Sequence, residues 1–261
     1  MSDKSEQSEA GYPTPGKLEM IWGDGFMSPG GPDEVLRIIA GHDIAGWSVL
    51  DMGCGLGGPA VVLAQRCKAG LVTGFDVQPS LVDRARETAR ELGLADRLSF
   101  VLGAPGPLPF ENSGFDAVFS KDAIIHVADK AAIYREMARV LRPGGRLFIG
   151  DWLISDGHNQ GALLDRFLAL AGHDFHLMSL RQTGAIVRAA GFDEVDLVDR
   201  KDWYLVEATA ERDRLRADLG KTFSDRWGPD AHRDELRFWE TLVEAVAEGV
   251  VRPGHIRARK A

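Results

Sequence analysis

Short apolar runs alternate with amphipathic stretches through the middle of the chain, and this alternation is the main indicator of its fold. Buried strands are predicted at residues 47–53, 71–78, 98–103, 115–124 and 146–153. The stretches between them have the apolar spacing of helices, at residues 58–69, 80–94 and 130–145. Strands and helices that alternate at this spacing indicate βαβ units and a parallel sheet with right-handed crossovers, over about residues 45–155.

The flanking sequence is predicted to complete one domain around these elements. Residues 11–31 are rich in glycine, proline and aromatic residues, which is typical of an ordered covering segment, and Pro32 with the acids after it favours a helix start. Further elements are predicted as helices at 159–172, 180–192 and 206–249, the last with a break at 226–232, and as strands at 193–205 and 254–261. We therefore expect a disordered tail at 1–10 and a single domain at 11–261.

Composition excludes several classes of protein. The chain of 261 residues has 39 acidic and 31 basic residues and a net charge of −8, so no nucleic-acid partner is expected. Its 2 cysteines lack the spacing of a disulfide scaffold or a zinc site, and no metal is predicted. The N-terminus has no apolar signal core, and no stretch has the roughly 18 apolar residues of a membrane helix, so we expect a cytoplasmic protein without a membrane partner.

The stretch "DMGCGLGG", residues 51–58, is the clearest candidate for a binding loop. Gly53, Gly55 and Gly58 match GxGxxG between a predicted strand and a predicted helix. Such glycines allow a tight turn and a close approach of ligand to backbone, and the helix that follows offers unbonded N–H groups and a positive dipole end. The stretch therefore predicts a nucleotide-like ligand; the alternative is a tight βα turn that binds nothing.

Two acids indicate which nucleotide is bound. Asp76 ends the second strand, where the ribose-binding acid of a nucleotide fold is expected, although it could also be a strand-end cap. Asp51 opens the glycine loop, and a carboxylate there would repel a pyrophosphate. It suits a ligand with positive charge, such as the ammonium and sulfonium of S-adenosylmethionine, which we predict as the cofactor.

The motifs "VLDMGCGLGG", "GFDVQ", "FDAVFSKDAIIHV" and "LRPGGRLFIGDW" resemble, in order and spacing, those of class I S-adenosylmethionine-dependent methyltransferases. The resemblance covers about residues 45–155. It implies an α/β fold with a Rossmann-like, doubly wound, seven-stranded sheet whose last strand is antiparallel, an N-terminal lid and a helical insertion. The domain would then consist of a lid and N-terminal helix at 11–44, a cofactor-binding core at 45–155, and substrate-side helices and last strands at 156–261.

The same resemblance implies a set of cofactor-binding residues in the core. Many relatives have an acid near the adenine amine where this chain has Ala104, so backbone and apolar contacts near Leu102 and Gly103 would hold the adenine. The Lys121 side chain is expected to face solvent. The candidate cofactor-binding residues are Asp51, Gly53, Cys54, Gly55, Asp76, Val77, Gly103, Ala104 and Lys121.

A narrower resemblance concerns the methyl acceptor. "GDGFMSPGG" and "SKDAIIH" look like phosphoethanolamine N-methyltransferases, enzymes that methylate phosphoethanolamine to phosphocholine. In that family a lid tyrosine, matched here by Tyr12, pairs with a histidine, matched by His126, to latch the lid and help deprotonate the amine. Asp122 is the third catalytic candidate, and could hold the substrate nitrogen or orient a water. The alternatives are a packing role for Tyr12 and helix-capping or structural roles for Asp122 and His126.

The residues after the fifth strand depart from that family, which binds phosphate with tyrosines, an arginine and a lysine. His173 and Phe175 stand where an arginine and a tyrosine are expected, Trp152 replaces a tyrosine, and the helix at 234–249 is acidic where the family is basic. An aromatic, partly acidic pocket suits a cationic or neutral amine through cation–π contact. A small shift of the alignment would instead bring Arg166 or Arg181 to the acceptor. The candidate substrate-binding residues are Trp22, Trp152, His173 and Phe175.

These residues predict methyl transfer to the nitrogen of a small amine. This amine is the expected partner, and the protein is expected to be a monomer or a weak dimer. Alignment of the reacting atoms carries much of the catalysis, because sulfonium is a good leaving group. An ammonium must first lose a proton, which a histidine can accept near neutral pH. Two alternatives stay open: a C- or O-methyltransferase acting on a quinone or phenol, and a non-catalytic module that only binds the cofactor.

Overall fold

The computed structural model describes residues 15–157, 161–172 and 174–261. These residues form a seven-stranded sheet in the order β3-β2-β1-β4-β5-β7-β6, in which β1 to β5 are parallel and β7 runs antiparallel to both neighbours. The strands are β1 Ser48–Met52, β2 Leu71–Asp76, β3 Leu98–Leu102, β4 Phe115–Lys121, β5 Leu141–Ile154, β6 Phe192–Asp199 and β7 Val251–Lys260. The predicted fold class, with its antiparallel last strand, is confirmed.

Ten helices in the described part of the chain surround the sheet. They are α1 Pro15–Trp22, α2 Gly31–Ile38, α3 Gly58–Gln65, α4 Pro79–Glu91, α5 Lys130–Val140, α6 Ala162–Ala171, α7 Leu180–Ala189, α8 Lys201–Arg216, α9 Gly220–Trp227 and α10 Pro229–Ala247. Among the described residues, no helix combines the length and apolar character that crossing a bilayer requires. The predicted break in the long helical region lies at Gly228, between α9 and α10.

Apolar side chains bury both faces of the sheet, because successive strand residues point to opposite sides. Val49 belongs to the cluster that packs with α2, α3 and α4, whereas Leu50 belongs to the cluster that packs with α5 and α7. A third cluster contains the buried Trp239 and joins α1, α6, α8, α9 and α10. It includes Ile154, the last residue of β5, so these helices cover the edge at which the parallel strands end.

Two predicted boundaries are wrong. The strand predicted at 193–205 ends at Asp199, and α8 begins at Lys201. The Asp199 carboxylate accepts a hydrogen bond from the Lys201 N–H at 2.8 Å in the turn between them. The helix predicted at 130–145 ends at Val140. Pro143 disfavours helical geometry in the residue before it, so β5 already begins at Leu141.

A buried ionic network connects α2 with the second half of the chain. Glu34 Oε1 and Oε2 accept from Arg200 at 3.1 and 2.9 Å, and His255 Nε2 lies 2.6 Å from Glu34 Oε1. Burial raises the pKa of the Glu34 carboxyl, but the hydrogen bonds from His255 and Arg200 outweigh it, and the net pKa lies below the ordinary 4.5. The network therefore stabilises the fold most when Glu34 is ionised.

We expect Glu34→Gln to lower the free energy of unfolding at pH 7 by about 2 kcal/mol, because a buried charged hydrogen-bond acceptor is lost. Since the folded-state pKa is depressed, this contribution is present above pH 4.5 and disappears as pH falls through the lower folded-state value. Urea unfolding at several pH values measures the difference. Glu87→Gln, at an exposed position on α4, is the matched control. A destabilisation independent of pH would contradict the assignment.

Candidate active site

A cavity of about 1300 Å³ opens at the carboxyl edge of the parallel strands. Met52, Asp76 and Lys121, the last residues of β1, β2 and β4, all line it. Strand β1 lies between β2 and β4, so the order of strands reverses at this point. In open α/β sheets such a switch point is where ligands bind.

The glycine loop after β1 forms one wall of the cavity. Gly53 has φ +73°, and a side chain at this position would overlap Ala123 in the loop after β4. Gly55 also has a positive φ, and its N–H donates to Asp76 Oδ2 at 2.8 Å. Glycine is therefore required for the loops after β1 and β4 to approach each other and expose backbone to the cavity.

Asp76 bonds the backbone of the glycine loop and can still accept hydrogen bonds from a ligand. Its two carboxylate oxygens accept from the N–H groups of Gly55 and Gln78 at 2.8 and 3.0 Å, and the residue lines the cavity. Burial raises the pKa of Asp76, although these backbone N–H groups partly offset the effect. Each oxygen has a second lone pair, so the carboxylate can still accept hydroxyl groups of a ligand.

Asp51 lies below the cavity wall. It is 1 % exposed, and neither carboxylate oxygen has a hydrogen-bond partner among the described residues. Burial, together with the charge of Asp76, raises its pKa to about 8. Asp51 itself does not line the cavity, contrary to the direct contact with ligand that its place in the sequence suggests. Its neighbours Met52 and Gly53 do line the cavity.

Four other cofactor candidates divide into two pairs. Val77 and Ala104 line the cavity. Cys54 and Gly103 lie in the described part of the chain but are absent from the lining. Cys54 packs into the core, and Gly103 is a glycine because any side chain there would overlap the Phe75 ring.

Lys121 does not face solvent, contrary to expectation. Its side chain is 3 % exposed, and its ammonium donates to Ser28 Oγ at 2.6 Å and to Asp122 Oδ2 at 2.7 Å. Asp122 has φ +53°, a left-handed conformation that aspartate tolerates, and its carboxylate also lines the cavity. The short helical turn that follows, Ile124–His126, has Ala123 at its cap position and no side-chain cap, so Asp122 is not a helix cap.

The cavity brings His126 together with the aromatic candidates. His126 and Phe175 both line it, with ring centres 5.3 Å apart. Trp152 lines it beside Tyr204, at 4.9 Å between ring centres. Trp22 lines it as well, and its Nε1 donates to the buried Glu211 at 2.8 Å. The predicted Tyr12 and His173 lie outside the described residues.

Sequence reasoning missed a buried pair behind the His126 turn. Asp151 Oδ1 accepts from the Ile125 N–H at 3.2 Å, and Lys130 Nζ donates to the Ile124 carbonyl at 2.6 Å. Burial raises the pKa of Asp151 and lowers that of Lys130. The pair thus fixes the backbone that carries His126. Asp151 interrupts the apolar run of β5, and an acid inside a buried strand was the available signal.

Comparison with known proteins agrees with the fold and the motifs. Residues 50–149 match a family model described as a methyltransferase domain. This match agrees with the prediction, made from the motifs, of a class I S-adenosylmethionine-dependent methyltransferase. Within the class, the chain is 28% identical over 245 residues to phosphoethanolamine N-methyltransferase 1 of Arabidopsis thaliana, covering 94% of this chain and 48% of that protein.

The other relatives and solved structures include both carbon and nitrogen methyltransferases, by their names. The chain is 34% identical over 166 residues to sterol 24-C-methyltransferase erg-4 of Neurospora crassa, covering 60% of this chain and 44% of that protein. It superposes with TM-score 0.85 and 26% identity on Haemonchus contortus phosphoethanolamine N-methyltransferase 2 in complex with phosphomonomethylethanolamine and S-adenosylhomocysteine, covering 93% of this chain and 56% of that chain. The chain thus spans about half the length of the curated relatives it matches.

Proposed function

We propose that this chain binds S-adenosylmethionine in the cavity and catalyses methyl transfer to the nitrogen of an amine. One observation carries the proposal: a single cavity is lined by the glycine loop, Asp76, Asp122 and His126. These are the residues that the motifs assign to the cofactor and to the reacting nitrogen. The expected cytoplasmic location and the monomeric or weakly dimeric state stay predictions.

The residues present fit the cofactor. The Asp76 carboxylate can accept the ribose hydroxyl groups, and the backbone of Gly53 and Gly55 gives close access to the rest of the ligand. Asp76 lines the cavity, and the groups that bond its carboxylate are the neutral N–H groups of Gly55 and Gln78. A negative charge at this position favours a cation over a pyrophosphate. When bound, S-adenosylmethionine supplies a methyl group on a positively charged sulfonium.

We propose that His126 is the base that accepts the proton of the acceptor ammonium. Its ring lines the cavity, so it can accept a proton from an ammonium and leave the nitrogen lone pair available. Asp122, which the ammonium of Lys121 holds in place, can accept a hydrogen bond from the same nitrogen and orient it. Tyr12 remains a candidate for the lid side of this arrangement.

The alternative is methyl transfer to carbon on an apolar acceptor. Aromatic side chains form much of the cavity wall, including Trp22, Trp152, Phe175 and Phe238, and one relative is named a C-methyltransferase. Methyl transfer to an electron-rich carbon would use the same cofactor site, and it would depend less on His126 as a base.

Two measurements on the purified chain test the proposal. Isothermal titration calorimetry with S-adenosylmethionine should give micromolar binding, and S-adenosylhomocysteine should be released when a panel of amines is added. Absence of binding would refute the methyltransferase assignment. Binding without turnover of any amine, phenol or apolar alkene in the panel would favour a non-catalytic module.

Lys130→Met should lower kcat by about 10-fold and leave cofactor affinity unchanged, because the turn carrying His126 loses its tether to Lys130. A purely structural role would instead change stability and cofactor affinity together. Steady-state kinetics with titration of S-adenosylhomocysteine separates the two. The control is Lys221→Met on α9, whose side chain is 84% exposed.

A further inference from the structure

We propose that the methyl acceptor is an amine carried on a bulky apolar or aromatic body, with no phosphate group, and that the wall formed by α6, α8 and α10 receives this body. The inference rests on the proposed function and names its substrate class. Three features of the cavity support it: a continuous aromatic wall, an excess of acidic over basic side chains, and its volume.

The aromatic wall runs from the proposed base into the helical cover. Phe175 lies next to His126, the Phe167 ring lies 6.1 Å from Phe175, and the Phe238 ring stacks 5.9 Å from Phe167. All these residues line the cavity, as do Trp152 and Tyr204 on another side. A wall of this length provides more apolar contact than a two-carbon amine can use, and its ring faces also attract a cation.

The charges of the cavity oppose a phosphate dianion. In the described part of the chain the acids that line it outnumber the lysines and arginines, six against three. The acids are Asp76, Asp122, Asp129, Glu136, Asp234 and Glu235, and the bases are Lys17, Lys121 and Arg135. Three of these acids, Asp122, Glu136 and Asp234, are paired with basic side chains. The other three would repel a phosphate and attract an ammonium when they are ionised.

Each of the three basic side chains either interacts with another side chain or lies outside the aromatic wall. Lys121 is paired with Asp122. Lys17 Nζ lies 5.6 Å from the centre of the Phe223 ring, and its charge partly offsets the rise that burial causes in the pKa of Glu235. Arg135 is exposed and belongs to α5, so it is not part of the aromatic wall.

The two arginines that a shifted alignment would bring to the acceptor do not reach it. Arg166 pairs with Glu244, and Arg181 pairs with Asp156 and has a side chain that is 77% exposed. Neither lines the cavity. Among the described residues, neither of these arginines is therefore available at the aromatic wall to bind a phosphate through two parallel hydrogen bonds, and Arg135 lies on α5, away from that wall.

The volume indicates the size of the acceptor. A site for one drug-sized ligand typically occupies about 300–1,000 Å³. This cavity, at about 1300 Å³, exceeds that range. A nucleoside cofactor at the strand edge would fill part of this volume, and the aromatic side chains that line the same cavity could then contact a second ligand of considerable size.

The test compares two probes on the protein saturated with S-adenosylhomocysteine. We expect tryptamine to bind at least about 10-fold more tightly than phosphoethanolamine by calorimetry, from cation–π contact and apolar burial. Equal or tighter binding of phosphoethanolamine would overturn the inference while leaving the methyltransferase assignment intact. Failure of tryptamine to bind would overturn it as well. Failure of S-adenosylhomocysteine itself to bind would instead refute the proposed function.

Two substitutions on α10 locate the acceptor body. Phe238→Leu and Glu235→Gln should each weaken tryptamine binding by about 5-fold or more, without changing the affinity for S-adenosylhomocysteine. Glu235→Gln keeps the shape of the side chain and its acceptor for Trp239 Nε1, so folding should be preserved. The matched control is Arg233→Gln, at an exposed position on the same helix, where neither this arginine nor its partner Asp230 lines the cavity. Unchanged tryptamine affinity in both variants would contradict the placement.

Discussion

Asp76→Ala is expected to abolish measurable binding of S-adenosylmethionine, with a loss of affinity of at least about 100-fold. The substitution removes the proposed acceptor of the ribose hydroxyl groups. It also removes the partner of the Gly55 N–H, so the glycine loop loses the contact that holds it toward β2. Calorimetry with S-adenosylmethionine measures the effect directly.

The controls for Asp76 separate loss of binding from loss of fold. Asp83→Ala, on α4 with a side chain that is 74% exposed, should bind the cofactor normally. Asp76→Asn keeps one carbonyl acceptor and should retain part of the affinity. Circular dichroism should show an unchanged helix content for both Asp76 variants. Normal cofactor affinity in Asp76→Ala would place the ribose elsewhere.

His126→Ala is expected to lower kcat on an amine by about 10²–10⁴-fold, the usual contribution of a positioned general base. The deficit should shrink as pH rises, because an alkyl ammonium with a pKa of about 10 loses its own proton increasingly without help. Added imidazole should restore part of the rate at neutral pH. Affinity for S-adenosylhomocysteine should not change, since His126 is not among the candidate cofactor-binding residues.

His176→Ala provides the control, because that residue follows Phe175 but is exposed and absent from the cavity lining. It should turn over amine at the wild-type rate. Full activity of His126→Ala would remove this histidine as the base and would strengthen the case for a carbon acceptor.

Part of the cavity wall could be predicted from local sequence, although Asp51, Cys54 and Gly103 do not line the cavity. Asp76 ends the apolar run of β2, and the glycines mark the turn between β1 and α3. The burial of Lys121 could not be read in the same way, since its partner Ser28 is 93 residues distant in sequence. The roles of Lys130 and Asp151 could not be predicted either, because they depend on how the fold brings β5 next to the turn that carries His126.

The fold was predictable to a similar degree. A short apolar run between stretches with helical spacing indicates a strand that is buried on both faces, so β1 to β5 were identified. The start of α8 was missed because "DWYL" has the aromatic content of a strand, while tertiary contacts decide its conformation: Arg200, just ahead of it, is held by Glu34 from α2.

The place of β7 in the sheet has a consequence for folding on the ribosome. This strand is the last in sequence, yet it lies between β5 and β6 and pairs with both. Until residues 251–260 have emerged, β6 has no neighbour and the edge of β5 is unpaired, a state open to association with other chains. Completion of the sheet therefore waits for the latest strand, and substitutions in β7 should reduce soluble yield more than equally buried substitutions in β1 to β3.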